Sequence, residues 1–405
     1  MMARTVLGLG HICYDFSTSA GKALSARQAA ATQDCVAGIK GLNRGELRLS
    51  GWLRENHGLS INDVSEKNGW GPVSRLPGSI GGPGASSFRA AFQTLLPDRG
   101  QVRFYGAIGN DDIGRVLAAE YRRYNMDPST LLKLSGVPTS YTLVMNEKFE
   151  NEAGGVSESR TFLHEPGANS IVGVSHFPES VFTEPWARDG VFAVGGNFLM
   201  QGLHPDGVIS LMASAKSHGL TTVLNTVHHD ESDPSKQWKL GNDPARVIDL
   251  LVMDMEEAAG ISGVGPMDGV DSLAHITECV SALMSQGFRN LVVTNGAEGS
   301  YWYIGNDLVF PRSGYTGRLF FVPSSEYIRE RGVVSGLGAG DVFAGGILSS
   351  IAERKSPLEA AAYATAAAGL CVRNLAGEIG GPVKQGGYNE LVQEVAVLLL
   401  AQMSR

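Results

Sequence analysis

Hydrophobic and polar positions along the chain predict strands that alternate with helices. Short runs rich in Val, Ile and Leu end at Gly or polar residues, and longer segments between them repeat apolar residues at the helical spacing. This alternation is typical of an α/β protein with a doubly wound, mostly parallel sheet flanked by helices. The predicted strands cover 4–9, 102–107, 140–146, 160–164, 190–194, 221–225, 250–253, 290–294, 300–304 and 307–310. The predicted helices cover 84–95, 111–124, 205–218, 272–286, 340–353, 357–374 and 388–402.

Residues 20–77 interrupt this pattern, and we interpret them as an insertion. The segments 25–42 and 46–57 are typical of helices, whereas 58–79 is polar and rich in glycine. The insertion separates the first predicted strand from the next Gly-rich turn. We therefore expect it to form part of a lid or subdomain.

The resulting domain prediction has a main α/β domain made of 1–19 and 78–395, with a smaller lid. The segment 137–165 contains two β-like runs around a polar loop. We expect it to supply a second piece of the lid.

Composition and charge narrow the class of protein. The chain has 405 residues, 43% hydrophobic and 18% charged, which suits a globular protein with a large core. A formal net charge of -8 disfavours a nucleic-acid partner, because phosphate binding needs clusters of Lys and Arg. No apolar run approaches the length of a membrane span or a signal peptide, so no membrane partner is expected. The four cysteines form no CxxC pair, which predicts neither disulfides nor a zinc site and fits a reducing cytoplasm.

The strongest local motif is GLGAGD at 336–341, which opens an apolar run rich in Ala and Gly. Small residues at a helix N-terminus leave backbone N–H groups exposed, and with the helix dipole these groups form an anion site. An Asp in the first turn of such a helix could take a proton from a hydroxyl that attacks a phosphoryl group. The alternative is a Gly-rich loop in which Asp341 only caps the helix. The motif alone leaves both interpretations open.

Other short motifs follow one another along most of 4–380. They are the strand 4–9 leading to Gly10 and Asp15, GGPGA at 81–85, FYGAIGNDDIG at 104–114, VPTS at 137–140, RTFLHEPGAN at 160–169, DMEE at 254–257 and TNGAEG at 294–299. In this order, and together with GAGD, they resemble the motifs of the ribokinase, or PfkB-type carbohydrate kinase, family. The resemblance implies a ribokinase-like fold. It also implies an ATP-dependent kinase that uses Mg²⁺ to phosphorylate a hydroxyl of a small sugar or sugar derivative.

The resemblance also implies roles for particular residues. Asp341 would be the catalytic base, with an anion hole formed by Gly338, Ala339 and Gly340. We assign substrate contacts to Asp15, Gly81, Gly82, Ser86, Arg160 and Asn169. We assign the nucleotide side to Asn225, Thr294, Gly296 and Gly299, and the metal side to Asp254 and Glu257.

The sequence departs from the family pattern at three positions. Ser335 stands where the family often has an Asp, Ser86 replaces the Asn of GGxGAN, and Asp254 replaces the Asn of NxxE. The first change bears on a monovalent-cation site, the second on a substrate contact and the third on the charge near the metal. These changes leave a catalytically silent sugar- or nucleotide-binding protein as an alternative.

Two further features leave alternatives open. Arg160 and His164 alternate with Phe162 on one face of a predicted strand, so they either bind an acidic group of the substrate or form a solvated face. The insertion occupies the region that selects the substrate in the family and often forms a dimer clasp. A nucleoside kinase of the same fold and a homodimer therefore stay open. The segment HHDE at 228–231 is interpreted as a polar loop.

Overall fold

The computed structural model describes residues 4–18, 35–43, 46–95, 100–150, 156–227, 238–267, 272–311, 314–324, 336, 338–372, 392–393 and 396. Their strands are β1 (Arg4–Gly10), β2 (Cys13–Ser17), β3 (Cys35–Val36), β4 (Ile39–Lys40), β5 (Leu47–Leu49), β6 (Gly78–Gly81), β7 (Gly100–Gly109), β8 (Leu131–Leu134), β9 (Tyr141–Glu150), β10 (Val156–Glu165), β11 (Val191–Gly195), β12 (Thr221–Asn225), β13 (Leu250–Asp254), β14 (Asn290–Asn295), β15 (Gly299–Ile304) and β16 (Arg318–Pro323). Their helices are α1 (Ser50–His57), α2 (Ile61–Lys67), α3 (Pro83–Thr94), α4 (Asp112–Arg123), α5 (Asp206–Ser217), α6 (Pro244–Val247), α7 (Met255–Ser262), α8 (Ser272–Ser285), α9 (Ala339–Ala352) and α10 (Pro357–Cys371). Within these ranges, no helix is both long enough and apolar enough to cross a membrane.

The main sheet has nine strands in the order β16-β15-β14-β13-β12-β11-β1-β7-β8. Its strands pair in parallel from β14 to β8, whereas β15 pairs antiparallel with both β14 and β16. The chain runs outward from β1 to β7 and β8, then returns to β11 on the other side of β1. Ligands of open α/β sheets bind at the carboxyl ends of the strands where the order reverses. The topology therefore places a candidate site above β1 and β11.

Helices cover both faces of the main sheet. Consecutive strand residues such as Val6 and Leu7 are fully buried in two different hydrophobic clusters, because side chains alternate between the faces of a strand. The Val6 cluster includes side chains of α3, α4, α9 and α10, and the Leu7 cluster includes side chains of α5, α7 and α8. Two-sided burial explains why strands such as β11 (VFAVG) are apolar throughout. The predicted doubly wound fold class is confirmed.

A smaller sheet has the strand order β5-β10-β9-β2-β6. It takes β9 and β10 from the predicted second lid segment, β5 from the predicted insertion, and β2 and β6 from either side of that insertion. Its own apolar cluster joins Phe16 of β2 and Leu163 of β10 to Leu53 of α1 and Val64 of α2. The smaller sheet and the helices of the insertion therefore share one core.

Three local predictions differ from the structure. Residues 307–310, predicted as a strand, form bends, because the side-chain oxygen of Asn306 accepts the Leu308 N–H at 3.1 Å and turns the chain. The strand that follows β15 and forms this edge of the main sheet is β16 instead. The described part of the predicted helix 25–42 contains the β3–β4 hairpin, whose turn residues Ala37 and Gly38 have φ of 53° and 75°.

The third difference lies in the predicted helix 46–57. The predicted helix 46–57 begins as strand β5 and becomes helical at Ser50. The predicted helix 388–402 lies almost entirely outside the described residues.

Three glycines bring α3 onto the carboxyl ends of β1 and β11. A Cβ atom added to Gly84 would lie 2.6 Å from the Cα of Gly10, and one added to Gly195 would lie 2.8 Å from the Cα of Gly84. These distances are too short for any side chain. The N-cap residue Gly82 has φ of 93°, and Pro83 follows at the first helical position. The N-terminus of α3 is thereby fixed against the backbone at the point where the strand order reverses.

We expect Gly84→Ala to lower the free energy of unfolding by about 1–3 kcal/mol, because the new methyl group would overlap backbone that cannot move aside. Chemical denaturation measures the change. Gly51→Ala is the matched control: Gly51 lies in α1, and no described atom comes within 4 Å of its Cβ position. The control should be stabilised by about 0.4–1 kcal/mol. Equal stability of Gly84→Ala and the parent protein would contradict this account of the packing.

Candidate active site

Polar side chains gather at the carboxyl edge of the main sheet. Asn225 ends β12 and Asp254 ends β13, while Thr294 lies opposite Asp254 on β14. Asp341 approaches the same edge from the first turn of α9. The topology therefore brings together residues that are more than a hundred positions apart in sequence.

Asp341 is the acidic residue of the first turn of α9. Asn225 Nδ2 donates to Asp341 Oδ1 at 3.4 Å, and the same amide donates to Ser87 Oγ at 3.4 Å. Burial raises the pKa of Asp341 to about 7; the hydrogen bond from Asn225 and the charge of Arg89 oppose the rise, and the charge of Asp15 adds to it. A carboxyl group with such a pKa exchanges its proton near neutrality.

The loop before α9 presents backbone N–H groups. Gly338 is the N-cap residue with φ of 72°, and no described atom lies within 4 Å of the Cβ positions of Gly338 and Gly340. The Ala339 N–H donates to Gly336 O at 3.3 Å, and the first bond inside the helix joins the Val342 N–H to Gly338 O. The N–H groups of Gly340 and Asp341 precede that bond, so they are the donors that a helix start leaves for a ligand.

Asp15 lies on β2 of the smaller sheet. Cys13 Sγ donates to Asp15 Oδ1 at 3.1 Å. Burial raises the pKa of Asp15, while hydrogen bonds from Cys13 and Thr142 and the charge of Arg89 oppose the rise. A Cβ atom on Gly81 would lie 1.9 Å from Asp15 Oδ2, so only glycine leaves room for this carboxyl group. Gly81 thus fixes where the Asp15 carboxylate lies.

Arg89 on α3 was not predicted from the sequence. Arg89 is 2% exposed, and the central carbon of its guanidinium lies 5.3 Å from the centre of the Tyr124 ring. Its positive charge lowers the pKa of both Asp15 and Asp341. The sequence offered no signal for this role beyond an Arg within a small-residue helix. The structure makes it a buried cation that acts on both carboxyl groups.

Asp254 and Glu257 form a reciprocal cap at the start of α7. Asp254 Oδ1 accepts the Glu257 N–H at 2.8 Å, and Glu257 Oε2 accepts the Asp254 N–H at 2.9 Å. Thr226 Oγ1 donates to Glu257 Oε2 at 2.6 Å. Burial raises the pKa of Glu257 well above its usual range, and the charges of Asp254 and Asp341 add to the shift. The two carboxyl groups at the start of α7 would therefore favour a bound cation.

Asn169, Ser86 and Gly82 lie around the loop that follows β1. Asn169 is fully buried; its Nδ2 donates to Ile12 O at 2.7 Å and to Ser140 Oγ, and its Oδ1 accepts the Ile12 N–H at 3.4 Å. Asn169 therefore supports this loop directly. Ser86 is 6% exposed, and its N–H donates to Gly82 O at 2.9 Å.

The predicted nucleotide residues Gly296 and Gly299 flank the turn between β14 and β15. Gly296 has φ of 50°, and no described atom lies within 4 Å of its Cβ position. Gly299 has φ of 138°, and a Cβ atom there would lie 2.0 Å from Val322 O. Gly299 is thus required for β16 to pair with β15, whatever else contacts it. Together with Thr294, this turn continues the carboxyl edge beyond Asp254.

Arg160 of β10 reaches from the smaller sheet to the loop before α9. A Cβ atom on Gly336 would lie 3.5 Å from Arg160 Nη1. Arg160, Phe162 and His164 share one face of β10 by the alternation of the strand. The face that carries Arg160 is therefore turned toward the GLGAGD motif. The segment 228–231 lies outside the described residues.

His164, His11 and Cys13 form a buried polar cluster where the two sheets meet. The Nε2 atoms of His11 and His164 are 3.0 Å apart, and His164 Nδ1 lies 3.0 Å from Thr142 Oγ1. Burial lowers the pKa of His164 to about 4 and lowers that of His11 well below its usual range. Both imidazoles are therefore neutral near pH 7.

Comparison with known proteins identifies the class of this fold and site. The model of the pfkB family of carbohydrate kinases matches residues 61–380. The chain belongs to this family, and so to the phosphotransferases that act on a sugar hydroxyl. Ribokinase from Haemophilus influenzae is 25% identical over 350 residues, covering 84% of this chain and 97% of that protein.

Solved structures agree on the fold. A structure of Arabidopsis thaliana ribokinase complexed with ribose and ATP has a TM-score of 0.61 at 18% identity, covering 97% of this chain and 99% of that chain. A structure of adenosine kinase from Sinorhizobium meliloti has a TM-score of 0.63 at 17% identity, covering 98% of this chain and 99% of that chain. Sugar and nucleoside kinases thus share this architecture, and fold alone does not select the substrate.

The raised pKa of Asp341 predicts how stability depends on pH. Because the folded protein holds this proton more tightly than the unfolded chain, whose Asp pKa is about 3.9, the stabilisation is present at low pH and lost as pH rises toward about 7. Asp341→Asn removes this loss. At each pH we compare the melting temperature of the variant with that of the parent protein. We expect the difference, variant minus parent, to be larger at about pH 8 than at about pH 5.

Asp206→Asn is the matched control, since Asp206 also lies in the first turn of a helix but is on the surface at the start of α5. Its melting-temperature difference from the parent should be the same at both pH values. A pH-independent difference for Asp341→Asn as well would contradict the raised pKa.

Proposed function

We propose that this chain transfers the γ-phosphoryl group of ATP to a hydroxyl of a small sugar or sugar derivative, with Asp341 as the base. The observation that carries the proposal is the Asp341 carboxyl group, which lies at the N-terminus of α9 with a pKa of about 7. A general base works best when its pKa lies close to the operating pH. The helix start beside it offers N–H donors to phosphate oxygens.

The sugar would bind between Asp15 and Asp341. Asp15, fixed by Gly81, would accept hydrogen bonds from sugar hydroxyls, and a sugar lacking such a hydroxyl would leave a buried acceptor unpaired. The hydroxyl to be phosphorylated would face Asp341, whose Oδ1 is held by Asn225. The positive charge of Arg89 lowers the pKa of both carboxyl groups, so it would favour the ionised form that Asp341 needs before the hydroxyl group reacts.

In the reaction, Asp341 would take the proton of the attacking hydroxyl as its oxygen bonds to the γ-phosphorus. The bond from that phosphorus to the bridging oxygen of ADP would break in line. The N–H groups at the start of α9 would stabilise the charge on the transferring group. Arg160, which reaches this loop from the smaller sheet, would add positive charge when the lid covers the site.

The carboxyl pair of α7 suits Mg²⁺, because its oxygens are hard ligands and its burial raises the pKa of Glu257 in the absence of a cation. Bound Mg²⁺ would neutralise charge on the nucleotide phosphates. Asp254 is the more accessible of the two side chains, and Thr226 and the Asp254 N–H hold Glu257 in place. We therefore assign Asp254 to contact with the hydrated cation and Glu257 to its support.

Two other functions compete with this proposal. A nucleoside kinase is favoured by the likeness to adenosine kinase and by Trp52 of α1, which packs at the edge of the smaller-sheet core. A silent binding protein has no need of a carboxyl group with a pKa near neutrality beside an anion site. The pKa of Asp341 therefore favours a kinase over the silent protein.

The first test measures ADP release with Mg-ATP across sugars, sugar acids, polyols and nucleosides. We expect turnover on a sugar, and a decrease of about 10²–10⁴-fold in kcat for Asp341→Asn, because the variant lacks the base. Asp206→Asn should keep the turnover of the parent. Turnover on nucleosides alone would favour the nucleoside kinase. Near-parental turnover of Asp341→Asn would remove Asp341 from the mechanism.

The pH profile gives an independent check. We expect kcat/KM for the sugar to rise with pH and to level off above about 7, because the base acts only after it has lost its proton. Steady-state rates between about pH 5 and pH 9 measure this dependence. A profile that is flat across this interval would exclude a base with the pKa of Asp341.

A further inference from the structure

The buried cluster of His11, Cys13 and His164 has the ligands of a metal site. The three residues are 1%, 2% and 1% exposed, and one ligand atom from each lies within 4.8 Å of the others. His11 follows β1 of the main sheet, Cys13 begins β2, and His164 lies near the end of β10. We propose that these side chains bind a zinc ion at the junction of the two sheets, separate from the Mg²⁺ of the phosphoryl transfer.

The distances between the ligand atoms fit zinc after a small movement. Zinc–nitrogen bonds of about 2.0–2.1 Å at a tetrahedral angle put two ligand nitrogens about 3.3 Å apart, and a sulfur ligand lies about 3.6 Å from a nitrogen. The two Nε2 atoms are 3.0 Å apart. Opening this pair by a few tenths of an ångström and drawing Cys13 Sγ toward it completes three tetrahedral positions. The fourth position is left for a water molecule or another small ligand.

Without a metal, the hydrogen bonds of this cluster are incomplete. If His11 Nε2–H donates to His164, then His11 Nδ1 is an acceptor with no donor; if His164 donates instead, then His11 Nδ1–H has no acceptor. In either case His11 Nδ1, which is buried, has no hydrogen-bond partner among the described residues. Two neutral imidazoles that face each other through Nε2 must carry a proton on one of these nitrogens, so only one Nε2 lone pair is available in each tautomer. A cation between them would use both Nε2 lone pairs, and His11 would then carry its proton on Nδ1.

The surrounding residues already form the outer contacts that a metal-binding imidazole and thiolate need. With Nε2 on the metal, His164 Nδ1–H would donate to Thr142 Oγ1, 3.0 Å away, as metal-bound histidines do with their second nitrogen. Thr142 Oγ1, 3.6 Å from Cys13 Sγ, would in turn donate to the thiolate. One hydroxyl group thus orients two of the three ligands.

Ligand chemistry decides which metal would bind. Two imidazoles and a thiolate suit zinc, whereas Mg²⁺ prefers oxygen ligands. Binding would release the Cys13 proton to solvent, since the thiolate is the ligand. Asp15 would then lose the S–H donor that it has at 3.1 Å and the hydroxyl donor of Thr142, which would leave its carboxylate to the sugar.

The test uses the full chain without a histidine tag, purified under reducing conditions. We expect about one zinc ion per chain to remain after dialysis and to be measured by plasma mass spectrometry. After zinc is removed, Co²⁺ should produce a sulfur-to-cobalt charge-transfer band and the intense visible bands of tetrahedral cobalt. Zinc should also raise the melting temperature of the metal-free protein, because it binds the folded state.

The variant Cys13→Ser should lose the charge-transfer band. Cys279→Ser is the matched control, because Cys279 is also buried and lies 3.7 Å from a histidine, His275, but belongs to no three-ligand group among the described residues. The control should keep the band. If Cys13→Ser fails to fold, zinc X-ray absorption on the parent protein decides, and it should find one sulfur and two imidazole neighbours.

Absence of bound zinc and of the cobalt band, or a band that survives in Cys13→Ser, would overturn the zinc site. None of these measurements requires turnover. A protein that binds zinc but phosphorylates nothing would contradict only the proposed kinase reaction, and an active kinase without zinc would contradict only this inference.

Discussion

The rest of the site depends on the backbone contact between Gly84 and the two strand ends at Gly10 and Gly195. This contact sets the N-terminus of α3 directly above the point where the order of the main sheet reverses. Helix α3 then carries Ser87, whose Oγ accepts from Asn225 at the end of β12, and Arg89, whose charge lowers the pKa of Asp15 and Asp341. A side chain at position 84 would push α3 away from the strand ends. Arg89 would then move relative to both carboxyl groups. Close packing of backbone on backbone is therefore what makes the electrostatics of the site possible.

The site concentrates acidic groups, and Arg89 offsets their charge only in part. Asp15 and Asp341 are half-buried and Glu257 is buried, and each has a raised pKa for which burial is the largest cause. Arg89 opposes the shift at the first two and not at Glu257. Burying charge in this way costs stability, and functional sites are where proteins retain such groups. The acidic end near α7 suits a cation, and the end near Asp15 suits hydroxyl groups.

Sequence alone was sufficient for the fold class and for most of the main sheet, because buried parallel strands are apolar throughout and helix caps such as Ser356 and Glu359 are local signals. The sequence-based prediction was wrong at 307–310, where a hydrogen bond to the Asn306 side chain turns the chain. It was also wrong in the insertion, where short strands replace parts of the predicted helices. Motifs predicted Asp15, Asp254, Glu257 and Asp341 as site residues, and the structure describes all four with their neighbours. They did not predict Arg89, because its effect depends on its burial and on carboxyl groups that lie far away in sequence.

The cluster of His11, Cys13 and His164 was also not predicted from the sequence, because its members come together only in the folded sheet. Cysteine spacing predicts metal sites only when the ligands are close in sequence, as in CxxC pairs. Here His11 and Cys13 are neighbours, but His164 reaches them because β10 pairs with β9 and β9 pairs with β2 in the smaller sheet. The same pairing positions Asp15 opposite Thr142, the residue whose hydroxyl group contacts His164. Whatever fixes this cluster therefore also fixes Asp15, so the junction between the two sheets and the Asp15 carboxylate are held by the same strand pairing.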